Sequence, residues 1–99
     1  MDINIHSIRF DADAKLLDLI KGKLVKLGQF YSEIISAEVF LRLDRSQDAD
    51  NKVSEIKLIV PGSELFAKRQ THTFEESSDN AVESLRSQIR RHKTRLKRA

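Results

Sequence analysis

Residues 36–74 read SAEVFLRLDRSQDADNKVSEIKLIVPGSELFAKRQTHTF, and they decide the architecture because strand spacing occurs three times in them before helical spacing returns. In SAEVFLRLD, Ala37, Val39, Leu41 and Leu43 alternate with Glu38, Phe40 and Arg42, the period of a strand buried on one side. RSQDADNK is polar and turn-prone and is expected to be a loop. VSEIKLIV gives a further strand with Ile56, Leu58 and Val60 on one face. Pro61-Gly62 then turns the chain, and ELFAKRQTHTF resumes extended structure as the second arm of an antiparallel hairpin.

On the N-terminal side, INIHSIRF is rich in β-branched residues and reads as a short strand. FDADAKLLDLIKGKLVKL follows, with Leu17, Ile20, Leu24 and Leu27 on one helical face. Asp11 or Asp13 offers an N-cap and Gly28 suits the C-terminal end, which places a helix at about residues 13–29. On the C-terminal side, FEESSDNAVESLRSQIRRHKTRLKRA reads as a second helix. Ser77, Ser78 and Asp79 are candidate cap residues, and Val82, Leu85, Ile89 and Leu96 mark its buried face. The order β-α-β-β-β-α predicts an α+β domain with two helices packed on one face of a four-stranded sheet. The first two strands, joined through a helix, are expected to be parallel neighbours with a right-handed crossover.

The 99 residues suit one domain, residues 1–99, and 39% hydrophobic residues with three Gly and one Pro suit a packed core. With no cysteine there is no disulfide framework and no thiolate zinc site, which fits a reducing compartment, so a cytoplasmic protein is expected. No apolar run approaches the roughly 20 residues needed to span a bilayer, so neither membrane insertion nor secretion is expected.

The net charge of +3 conceals an uneven distribution. Arg86, Arg90, Arg91, Lys93, Arg95, Lys97 and Arg98 are seven of the eighteen basic residues, and residues 84–99 contain no acid. At 100° per residue, Arg86, Arg90, Lys93 and Lys97 fall along one flank of the buried stripe, and Arg91, Arg95 and Arg98 along the other. On the first helix Lys23 and Lys26 lie off the core stripe, with Lys15 near Lys26 in angle. A solvated helix ordinarily mixes its signs, and dipole matching accounts for two or three cations in a last turn, not seven over more than three turns. The pattern points to a polyanion, and cations spaced along a rigid helix suit backbone phosphates. Phe30 and Tyr31 read as lids on the bottom of the core, so recognition by shape and backbone is expected rather than base stacking.

No catalyst is legible. His6, His72 and His92 are far apart, no HxxxH, CxxC or phosphate-binding glycine loop occurs, and Glu75-Glu76 is explained by capping, so no metal and no cofactor are expected. His92 reads as a helix-packing or phosphate-contacting residue.

LVKLGQFYSEI, LFAKRQTHTFEESSDNAVESL and QIRRHKTRLKR, in this order across essentially the whole chain, resemble the ribosome hibernation promoting factors, also labelled sigma-54 modulation or ribosome-associated inhibitor proteins. The resemblance implies a fold similar to the double-stranded-RNA-binding domain. It also implies a non-enzymatic role: binding the small ribosomal subunit between head and body, within the 70S ribosome as well, and blocking the messenger RNA and transfer RNA sites under stress or in stationary phase. Ribosomal RNA, not DNA, is the implied nucleic acid. By position Lys23 and Lys26 match basic residues of the family's first helix, and Arg91, Lys93 and Arg95 those of its second; Arg86, Arg90 and Lys97 join them as RNA-binding candidates. Ser84 and Ser87 stand where some relatives carry basic residues. The chain reads as a short form, without the C-terminal dimerisation domain of long members, and a separate ribosome-dimerising helper protein is a candidate partner. A general structured-RNA-binding module and a protein-interaction regulator docking through the acidic body are the alternatives.

Overall fold

The structure is a computed structural model describing residues 1–45 and 49–98, with the side chain of Arg98 outside the described part. It contains β1 (Asp2–Ser7), α1 (Ala14–Phe30), β2 (Ser36–Leu43), β3 (Lys52–Val60), β4 (Ser63–Thr71) and α2 (Phe74–Arg98). The sheet order is β1-β2-β3-β4, with β1 parallel to β2 and the other two pairings antiparallel. This is the α+β order expected from the sequence. Of the loop expected over residues 45–52, Lys52 belongs to β3 and residues 46–48 lie outside the described residues.

The core rests on the face of the sheet that the alternation marks. Val39 pairs with Ile56 and Ile56 with Ala67, and all three are buried. Ile20, Leu24 and Leu27 of α1 and Leu85 and Ile89 of α2 close over them with no exposed surface, each contributing about 1.5–3 kcal/mol of transfer free energy. α1 starts where Asp13 Oδ1 accepts the Leu16 N–H at 2.8 Å, so Asp13, not Asp11, is the cap. It runs through Gly28 and ends at Phe30, with Tyr31 as its extended C-cap.

Four expectations are corrected. β1 stops at Ser7 because Arg9 adopts φ 64°, a left-handed turn that redirects the chain. α2 begins at Phe74, and its cap is Thr73, whose Oγ1 accepts the Glu76 N–H at 3.1 Å. Ser77 and Ser78, expected as caps, are instead fully buried, and both meet the hydroxyl of the buried Ser54 on β3, at 2.7 and 2.9 Å. They close the core over Ser54, so Leu43, one pleat beyond Leu41 on the pairing strand, stays 48% exposed. Leu96 is 49% exposed because α2, at 1.5 Å per residue, extends past the sheet, whose edge beneath it ends at the turn of Pro61 and Gly62. Gly62 holds φ 73° there, a conformation a side chain would strain.

Candidate nucleic-acid interface

The two helices lie side by side and run in the same direction. Phe10, just before α1, stacks on Phe74 at the start of α2 with ring centroids 4.9 Å apart. Further along, Lys23 Nζ reaches Asp79 Oδ1 at 2.7 Å, and at the end of α1 Phe30 meets Arg86. The exposed Lys26 sits one helical turn before Phe30, on the flank of α1 nearest α2.

Phe30 gathers three cations. The guanidinium carbon of Arg86 lies 4.8 Å from its ring centroid, that of Arg90 5.7 Å, and Lys93 Nζ 4.9 Å. Lys93 is also 5.8 Å from the Tyr31 ring. A cation over an aromatic face is stabilised by about 0.5–1 kcal/mol at exposed sites, which offsets part of the repulsion among like charges. Arg90, Lys93 and Lys97 border one cleft with Phe30 and Thr94. On the opposite flank Arg91 and Arg95 border a smaller cleft with Ser63, Leu65, Gln88 and His92.

The expected RNA-binding residues therefore fall into three environments. Lys23 is held in the seam between the helices. Arg86, Arg90, Lys93 and Lys97 share the α1 side with Lys26, and Arg91 and Arg95 face the β4 side. Arg86 has a carboxylate 3.8 Å away, that of Glu83. Among the described residues, Lys26, Arg90, Arg91, Lys93, Arg95 and Lys97 make no ion pair, so five cations of α2 stand uncompensated beside one of α1. Three acids of the sheet have their own basic partners: Glu55 pairs with Arg42, Glu64 with Lys57 at 3.7 Å and Glu38 with His6 at 2.7 Å.

His92 is buried on α2 and packs edge-on against Tyr31, with ring centroids 6.1 Å apart. Among the described residues His92 Nε2 is enclosed without a hydrogen-bond partner, and the Tyr31 hydroxyl is enclosed with the Glu33 carboxylate as its polar neighbour. Burial first, and then the neighbouring Glu33 carboxylate, raise the pKa of the Tyr31 phenol above its ordinary 10.0. His6 stacks on Phe40, and His72 lies 3.2 Å from Glu76, so the three histidines occupy three separate places. Among the described residues no group of three or more His, Asp or Glu is placed to hold a metal ion, and no helix is long and apolar enough to cross a membrane.

Of the two readings of His92, helix packing or phosphate contact, the structure shows packing against Tyr31, and the contact of Phe30 with three cations was not expected from the sequence. The lid reading holds in part, since Phe30 packs against the core. The available signal was its place at the end of α1 beside Lys26; its three partners depend on the direction in which α2 lies.

Fold and surface together define an α+β domain whose second helix carries cations along both flanks of its C-terminal half. Residues 3–97 match the family described as sigma 54 modulation protein / S30EA ribosomal protein, and the chain belongs to that family. It is 27% identical over 100 residues to a ribosome hibernation promotion factor of Bacillus subtilis; the match takes in 99% of this chain and 51% of that protein, so the chain spans about half the length of that relative. It is 25% identical over 97 residues to a ribosome hibernation promoting factor of Escherichia coli K12, covering 98% of both. A ribosomal subunit interface protein from Coxiella burnetii superposes with a TM-score of 0.84 at 19% identity, over 95% of this chain and 99% of that one. The N-terminal domain of Thermus thermophilus Protein Y does so with a TM-score of 0.79 at 22% identity, over 93% of this chain and 99% of that one. These two likenesses show a shared fold.

Proposed function

We propose that this domain is a non-enzymatic ribosome hibernation factor: it binds the small ribosomal subunit, in the free subunit and in the 70S ribosome, between head and body, and blocks the messenger RNA and transfer RNA sites by occupying them. Names of relatives that span the same length support the hibernation role. The observation that carries the binding mode is the run of unpaired cations Arg90, Arg91, Lys93, Arg95 and Lys97 on α2 with Lys26 of α1 beside it. A rigid array of unpaired cations with so few exposed aromatic faces suits phosphates held by shape, not bases read by edge. Inhibition is then steric, and needs no reaction and no cofactor.

The test is co-sedimentation with small subunits and 70S ribosomes across a salt series, with and without prebound messenger RNA and initiator transfer RNA. Saturable binding near one to one, weakened by salt and blocked by the prebound substrates, is the expected result. Binding that neither saturates nor competes overturns the reading in favour of a general RNA-binding module.

A further inference from the structure

We propose that Phe30 is a positioning residue for this surface: its ring fixes Arg86, Arg90 and Lys93 as a preformed three-cation receptor for the RNA backbone. The inference rests on reading the face as an RNA-phosphate surface, and it adds to that reading an aromatic side chain whose role is electrostatic.

Three features lead to it. Arg86, Arg90 and Lys93 come from successive turns of α2, yet all three converge on one ring at 4.8, 5.7 and 4.9 Å. Long basic side chains lose rotamer freedom when they bind, and cations already collected over a ring have lost part of it beforehand. Convergence of like charges also needs a counterweight: Arg86 has the Glu83 carboxylate at 3.8 Å, but among the described residues Arg90 and Lys93 have none, and for them the negative face of the ring takes that place. Phe30 itself is anchored, half-buried at the last position of α1 and packed on the core, so the receptor is referenced to the fold rather than to a mobile side chain. Lys26, one turn earlier, extends the same patch.

The experiment replaces Phe30 with phenylalanines bearing one, two and three ring fluorines, which keep the shape and progressively weaken the negative face, and with Tyr, Trp and Leu. Each variant is titrated against purified small ribosomal subunits and against heparin, a polyanion without ribosomal shape, and its melting temperature is recorded. Affinity for both probes is expected to fall stepwise with fluorination and to reach about a three- to tenfold loss in Phe30→Leu. Phe30→Tyr and Phe30→Trp are expected to retain binding, and the fluorinated set to keep the wild-type melting temperature. Equal affinity across the fluorinated set overturns the inference, as does a loss that tracks melting temperature instead of ring electrostatics. If the wild type fails to saturate small subunits, the ribosomal reading falls by itself. The ranking on heparin then still decides the role of Phe30.

Discussion

Lys23 Nζ and Asp79 Oδ1 are 2.7 Å apart, an ion pair that ties the middle of α1 to the first turns of α2. The side chain of Lys23 is 26% exposed and that of Asp79 55%, so the pair is only partly shielded from water. Such pairs contribute about 0–1 kcal/mol. Lys23→Ala is expected to lower stability by less than about 1 kcal/mol in urea unfolding. It is also expected to weaken binding to small subunits less than Lys26→Ala does, because Lys26 has no carboxylate to give up. A larger binding loss at Lys23 would show that the pair opens on the ribosome.

Charge reversal tests the surface as a whole. Arg91→Glu combined with Lys26→Glu is expected to abolish co-sedimentation with small subunits while the circular dichroism spectrum stays that of the wild type. Exposed substitutions of this kind move stability by about 0.5 kcal/mol or less. Unchanged pelleting would remove the proposed face.

The hydroxyls of Ser54, Ser77 and Ser78 form a closed polar contact inside the core, where Ser54 bonds both partners. Ser54→Ala removes the hub: among the described residues the buried Ser78 hydroxyl loses its partner, while Ser77 keeps the Phe74 carbonyl at 3.3 Å, and the loss costs about 1–3 kcal/mol. The midpoint of urea unfolding is expected to fall with little change in slope.

Tyr31 makes stability depend on alkaline pH. Its phenol pKa is raised in the folded chain above the ordinary 10.0, so the native state holds the proton more tightly than the unfolded chain. Stability is then at its full value below pH 10 and is lost as pH rises through the raised value. Tyr31→Phe is expected to show a shallower decline across that window than the wild type, because it has no phenol to ionise. Melting temperatures of both proteins from pH 8 to 11 measure the difference.

Ile89 and Leu96 occupy the same expected stripe of α2, yet Ile89 is fully buried and Leu96 is 49% exposed. Ile89→Ala is expected to cost about 2–5 kcal/mol. Leu96→Ala is expected to cost no more than about 0.5 kcal/mol. Comparable losses at the two positions would contradict the overhang of α2.

That contrast also shows what a sequence can carry. Alternation in β2 and the spacing of Ile20, Leu24 and Leu27 are local, and each follows from one element's own period, so strands, helices and most of the core were legible. Where the cover ends is not local: Leu43 and Leu96 continue the apolar pattern of their elements but reach past the helices or the sheet. The same holds for the cationic face. Its residues could be read from the charge run, whereas the ring that three of them share, and the acid that holds Lys23, depend on two helices lying in the same direction. Hydroxyls near a helix start usually serve as caps, which is why Ser77 and Ser78 read as caps from sequence; the deciding fact is Ser54 on β3, a hydroxyl in the same row as Ile56, Leu58 and Val60.

Parallel helices have one more effect. Asp11, Asp13, Glu75 and Glu76 gather where both helices begin, and Arg90, Arg91, Lys93, Arg95 and Lys97 gather where α2 ends, in a molecule 46 Å long. Cations without acids thus mark one end, whereas the acids at the other end stand among Arg9 and Lys15. In the field of a polyanion the end of α2 is the part most strongly attracted, so approach with that end inward is favoured before any contact forms. Much of the orientational search is completed during approach, most strongly at low ionic strength, where the field extends furthest.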